Sequence, residues 1–273
     1  MKTIAILSLL VLVASSAQIQ PRGKWKWTLS ASPVAKGAGP QTYRFTCDYY
    51  YLDTKGNPGR RERVSALYLR DLPEDRVRWS GVEIAESSGS SGNFGPARKC
   101  DFMEGFSYAR ASLKDMLAPG FFRGFPPTAM FERNLVWDTH MIENFGQDYF
   151  PDLKLNIPFH VPQSGALSLA GAGTVTLKDL QLIWTGISQR NGQECAVIDY
   201  RAFLNTLDMK MPEISIVAGS NFWGQIWVSL GTKRIEYGTL NEGVVGEMSV
   251  QDQKKPWVVN IFRMGVFEPV NNK

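Results

Sequence analysis

Between residues 174 and 264 the chain alternates apolar and polar side chains between tight-turn signals, a period that commits it to antiparallel strands. Leu180, Leu182 and Trp184 alternate with Gln181 and Ile183. Arg190-Asn191-Gly192-Gln193 then marks a two-residue hairpin, because Asn-Gly accepts the positive φ angles that such a turn demands. The returning strand carries Ala196, Ile198 and Tyr200 on one face, with Cys195 and Val197 on the other. A second hairpin is expected over residues 222–237, turning at Gly231-Thr232-Lys233. It sets Phe222, Ile226, Val228 and Leu230 against Trp223, Gln225 and Trp227. A last strand covers residues 257–264. Several of these strands are apolar on both faces, which predicts cover on both sides. That cover is either a second layer of the chain or a cavity holding an apolar ligand.

The N-terminal half reads as more strands around one helix. Tyr43, Phe45, Cys47, Tyr49 and Tyr51 share a face of a strand over 41–53, the turn at 53–59 reverses it, and residues 61–70 return. The apolar phase flips at Ser80-Gly81, which predicts a β-bulge. Residues 87–99 form a Ser/Gly-rich loop, and a short helical turn is expected over 112–117. Phe121, Phe122 and Phe125 make an aromatic loop. A helix is predicted over 128–145, capped by Thr128 and ended by Gly146. Phe131, Leu135, Ile142 and Phe145 form its apolar stripe, with Met130, Trp137 and Met141 beside it. Glu132, Arg133, Asp138 and Glu143 fall mostly elsewhere. Such a helix needs an apolar surface to lie on, and the sheet supplies the large one. Residues 153–161 read as an edge strand because Pro158 lacks a backbone donor. The expected fold is mainly β: a curved antiparallel sheet, half-barrel or two-layer, with one amphipathic helix packed on it.

Residues 1–17 read as a secretory signal peptide: Lys2 gives the positive start, 4–13 the apolar core, and Ser15-Ser16-Ala17 the cleavage site. That apolar run is too short for a permanent membrane span, and no other segment qualifies. The expectation is a single exported β-rich domain over 18–273, periplasmic or extracellular and soluble after cleavage. A Gly/Ala/Ser loop at 164–173 is a candidate internal boundary. The net charge of +4 is spread along the chain and does not point to nucleic acid.

Chemistry is sparse. His140 and His160 are the two histidines, and no Gly-x-Ser-x-Gly elbow accompanies them. Asp138 and His140 are two apart on the expected helix and point to nearly opposite sides. His140 with Glu143 or Asn144 has same-face spacing, a pairing too common to define a metal centre. Gly89 and Gly92 lack the Lys-Ser/Thr of a phosphate loop. The sequence thus reads as non-enzymatic, with no catalytic residue, metal or cofactor assigned. Three cysteines allow three pairings. Cys47–Cys100 is the disulfide expected, since both lie in the N-terminal half and Cys100 follows a flexible loop. Cys195 is then a small buried hydrophobe.

Aromatic residues remain. Trp184, Trp223, Trp227 and Trp257 all fall in the C-terminal strands, where core packing is their ordinary role. If Trp223 and Trp227 turn away from the main core, they and the helix line a pocket for an apolar molecule. The candidate ligand-binding residues are Trp184, Trp223, Trp227, Trp137 and Met141. The signal peptide, the hairpins at Asn191-Gly192 and Ser229-Leu230-Gly231-Thr232-Lys233-Arg234, and the helix together resemble the periplasmic lipoprotein-carrier fold over residues 128–264. That resemblance is one of pattern and transfers no functional residue. It implies a half-barrel that holds an acyl chain or chaperones lipidated cargo. The leading reading is an exported protein that binds a lipid, an acylated cargo protein or a cell-envelope partner. The alternative is a surface or matrix interaction module on a closed β-sandwich, and a third is a secreted hydrolase working through carboxylates.

Overall fold

A computed structural model describes Leu29 and residues 39–89, 93–110, 113–162 and 165–270. The expected signal peptide lies outside the described residues. Thirteen strands join in one antiparallel sheet. They are β1 (Gln41–Leu52), β2 (Pro58–Leu72), β3 (Arg76–Ser88), β4 (Arg98–Lys99), β5 (Ser107–Ala109), β6 (Phe159–His160), β7 (Ala166–Ser168), β8 (Gly173–Thr176), β9 (Asp179–Arg190), β10 (Gln193–Lys210), β11 (Ile214–Ser229), β12 (Ile235–Val250) and β13 (Trp257–Pro269). The order is β4-β3-β2-β1-β13-β12-β11-β10-β8-β7, with β5 on β3, β9 on β10 and β6 on β9. The sheet is open, and the helices are α1 (Leu113–Met116) and α2 (Met130–Glu143).

Two hairpin systems far apart in sequence become one sheet because β1 pairs with β13, from Tyr43 opposite Pro269 to Tyr51 opposite Ile261. The expected turn at Asn191-Gly192 forms with φ of 51° and 74°, which joins β9 to β10. Gly81 has φ of 56° where the β2–β3 register slips, so the bulge forms as expected. A second bulge falls in β10, where Leu204 has φ of 59° and the register with β11 slips between Ala202 and Asn205. The kink divides that long strand: its first half pairs with β9 and its second with β8. Residues 166–176, which include most of the Gly/Ala/Ser loop, form the β7–β8 hairpin at the end of the same sheet.

Helix α2 lies on one face of the sheet, in an arrangement that the sequence showed only in part. Leu135, Val136, Ile142 and Phe145 enter the core, as an amphipathic helix requires. Glu132, Asp138 and Glu143, expected away from the sheet, are buried as well. Each has found a partner there: Glu132 accepts from the Cys100 thiol, Asp138 pairs with Arg263, and Glu143 pairs with Arg70 and accepts from Tyr68. No side chain caps the start of α2, so Thr128 does not play the role expected of it. Gly146 does not end the helix either, because a π-helical turn carries it on through Asn144–Asp148. Its role is close approach: a Cβ there would sit 2.9 Å from Cγ2 of Ile226.

Three further expectations are corrected. The strand expected over 153–161 shrinks to β6 and isolated bridges, since Asn156 at φ 57° and Pro158 interrupt it. The sheet is not covered on both sides among the described residues: Val217, Trp223, Val245 and Met264 stand exposed on the face opposite α2. The Cys47–Cys100 disulfide is absent, and all three cysteines are free and buried. Cys47 lies opposite Val64, Val64 opposite Ile84, and Ile84 opposite Arg98. Cys100, just beyond β4, is therefore about three strand spacings away, roughly 14 Å, where a disulfide spans at most about 7 Å between Cα atoms.

Candidate functional site

Helix α2 bridges the concave face of the sheet without filling it, and a cavity of about 860 Å³ remains beneath. Its floor comes from inward-facing residues of adjacent strands, among them Leu207 and Met209 of β10, Ile216 of β11, Leu240 and Val244 of β12, and Ile261 of β13. The β7–β8 hairpin closes one side through Leu167 and Val175. Met130, Trp137 and Met141 of α2 form the roof. These three are partly buried, and Trp137 is held in place by Phe122 at 5.4 Å edge-to-face and by its Nε1 donating to the Met116 carbonyl at 3.4 Å. The aromatic loop expected from sequence thus becomes a buttress: Phe121, Phe122 and Phe125 pack with Phe106 behind the roof.

One polar group interrupts the apolar wall. Arg263 of β13 stands directly across from Glu242 of β12, and its Nε donates to Glu242 Oε2 at 2.5 Å. Its two terminal nitrogens donate to Asp138 of α2, Nη1 to Oδ2 at 2.5 Å and Nη2 to Oδ1 at 3.1 Å. Ser220 Oγ donates to the other Glu242 oxygen, and Asn134 Nδ2 donates to the Tyr49 hydroxyl at 3.2 Å beside the guanidinium. Burial pushes the Asp138 carboxyl up to about 6, with Arg263 pulling it back and Glu242 pushing the same way. For Arg263 burial opposes the charge, but the two carboxylates outweigh it and hold the guanidinium charged. The triad ties the helix to the sheet, and all three side chains line the cavity.

The structure divides the sequence-derived candidates. Trp137 and Met141 line the cavity. Trp184 points into the core, with its Nε1 donating to the Gly186 carbonyl at 2.8 Å. Trp223 and Trp227 do not line the cavity: Phe222, Ile226 and Val228 take the inward phase of β11, which turns the two tryptophans to the opposite face. There Trp223 is 39% exposed between Phe203 at 6.4 Å and Phe262 at 6.1 Å. Trp227 is half-buried beneath the Arg190 guanidinium. His140 lines the cavity, and burial pushes its imidazole down. His160 is exposed, with Nδ1 3.0 Å from Asp179 Oδ1.

Sequence reasoning missed Arg263 and Glu242, although a signal was present. Arg263 continues the phase of Trp257, Val259 and Ile261, and Glu242 sits between Leu240 and Val244 in theirs. A charge in the apolar phase of a strand implies a buried partner. Asp138 and Glu242 are two carboxylates in one cavity, the feature a hydrolase needs. Both oxygens of Asp138 accept from one guanidinium, however, and Glu242 is held by Arg263 and Ser220. That arrangement fixes the position of both carboxylates against Arg263. Among the described residues no three His, Cys, Asp or Glu side chains converge in a way that would hold a metal ion.

No family model matches the chain, and no curated protein matches it. Among solved structures it is similar to lipovitellin, in a structure titled for lipid–protein interactions in that protein, at a TM-score of 0.38 and 14% identity. The similarity covers 89% of this chain and 26% of that one. So loose a likeness assigns neither a family nor a function.

Proposed function

We propose that the protein binds an apolar ligand, a lipid or the acyl chain of a lipidated protein, in the cavity beneath α2. The observation that carries this reading is the cavity itself. At about 860 Å³ it lies within the ~300–1,000 Å³ typical of ligand pockets, and aliphatic, aromatic and methionine side chains make up most of its wall. Each methylene taken from water contributes about 0.8 kcal/mol, so ten of them contribute about 8 kcal/mol before the cost of ordering the chain. Trp137 and Met141 are the contact residues on the helix. The flexible thioethers of Met130, Met141 and Met209 suit a wall that adapts to chains of differing length.

Export belongs to the same proposal. It rests on the N-terminal sequence pattern, and N-terminal sequencing of protein recovered from the envelope or medium tests it, with Gln18 as the expected first residue. The ligand reading is tested by extracting purified protein with organic solvent and analysing the extract by mass spectrometry. A stoichiometric lipid is expected. Protein that carries no lipid and fails to take up an added one would overturn the reading.

A further inference from the structure

We propose that the cavity selects the head of its ligand by charge, accepting an ammonium or hydroxyl group and rejecting a carboxylate, because the Asp138–Arg263–Glu242 triad on its wall carries one more negative charge than positive. This rests on the cavity being a ligand site, and adds the chemical class of the ligand.

Four charged side chains line the cavity: Arg60, Asp138, Glu242 and Arg263. Arg60 is already matched, since its Nη2 lies 2.9 Å from Glu62 Oε1 and its guanidinium stacks 4.5 Å over the Tyr51 ring. Glu62 is also bonded by the Tyr51 hydroxyl, which fixes that pair at the rim. What remains is one guanidinium between two carboxylates. Burial pushes the Asp138 carboxyl up, but both of its oxygens accept from the Arg263 guanidinium, which favours the ionised form. His140 also lines the wall, and burial pushes its imidazole down, toward the uncharged form.

The excess charge can act on a ligand because the triad is not sealed. The side chains of Arg263, Asp138 and Glu242 keep 11%, 8% and 13% of their surface open, and all three border the cavity. Among the described residues each carboxylate oxygen accepts one hydrogen bond, and an ionised oxygen has room for a second. Arg263 offers a ligand little in return, since Nε, Nη1 and Nη2 already donate to the carboxylates and Nη1 also faces the Tyr49 hydroxyl. A carboxylate head would meet net repulsion inside apolar walls, whereas an ammonium or hydroxyl head donates into the open acceptor sites.

Three probes of one chain length separate this inference from the reading beneath it. Dodecan-1-ol, dodecylamine and dodecanoate are titrated into the full chain at about pH 7.5 and low salt, where the amine and the acid are both charged. The expected result is binding of the alcohol and the amine, with the amine at least about tenfold tighter than the acid. Glu242→Gln removes the excess charge while keeping an acceptor for Arg263, and is expected to bring amine and acid within about threefold of each other. Circular dichroism checks that the variant is folded, and the wild-type ratio stands as a test without it. Binding of the alcohol with equal or better binding of the acid would overturn the head-group inference and leave the cavity reading in place. Failure of all three probes would overturn both.

Discussion

At single residues, the fold depends on charges that have been taken out of water. Arg263 holds Asp138 and Glu242 together, so removing it leaves two carboxylates with no countercharge. Arg263→Met is expected to destabilise the protein by about 3–5 kcal/mol, read as a lower midpoint in urea. Asp138 gives this cluster a pH signature. Its pKa is raised on folding to about 6, so the folded chain holds the proton at a pH where the unfolded chain has released it. Its contribution to stability is fully present below about pH 4 and is lost as pH rises through 6. The melting temperature of the wild type relative to Asp138→Asn should therefore fall between about pH 4 and pH 7; a rise would contradict the assignment. The cysteines give a second residue-level test. Burial pushes Cys47 and Cys100 up to about 12 and Cys195 up to about 11. A thiol-disulfide reagent at about pH 8 should label none of them in the native protein and all three after unfolding. A native protein with only one titratable thiol after unfolding would restore the disulfide. The sequence misled here because pairing by nearness along the chain ignores the two strands that stand between Cys47 and Cys100.

At the level of elements, much was legible and the gaps have one physical cause. The hairpins at Asn191-Gly192 and Gly231-Thr232-Lys233 could be read because a local turn chemistry and a period of two fix both strands together. The two-part pairing of β10 could not, because the bulge at Leu204 has no local signature. Helix α2 was legible in its apolar stripe and illegible on its polar side, where Glu132, Asp138 and Glu143 are satisfied by residues distant in the chain. How closely the helix seats is set by glycine. Gly146 faces Ile226, Val228 and Ile235, and Gly238 faces Ile142 with room for a Cβ only at 3.0 Å. Gly146→Ala gains helix propensity of about 0.8 kcal/mol but forces a methyl against Cγ2 of Ile226 at 2.9 Å. The overpacking cost of about 1–3 kcal/mol is larger, so the variant should unfold at a lower urea concentration. An unchanged or raised midpoint would show that the helix does not sit this close.

Over the whole molecule, the pairing of β1 with β13 makes one wide trough out of two hairpin systems. A helix tied at Asp138 and Glu143 spans that trough without filling it. The cavity follows from this geometry: the core is packed around Phe45, Trp79 and Phe267, whereas the space under α2 is bounded by side chains and left open. From sequence, the two-sided apolar strands announced a greasy space but put two of its tryptophans on the wrong face, since strand phase says which residues lie together and not which side is inward. The row of Phe203, Trp223 and Phe262 on the face opposite α2 shows where that ambiguity fell. The most direct test of a ligand-holding trough is a titration with N-phenyl-1-naphthylamine, a neutral fluorescent probe, into wild type and Val244→Trp, whose larger ring would occupy the cavity floor. The account predicts one saturable site per chain in the wild type. It predicts binding at least about tenfold weaker in the variant, which should melt at the same temperature or higher because it fills empty space. Equal binding by the two proteins, or none by the wild type, would contradict it.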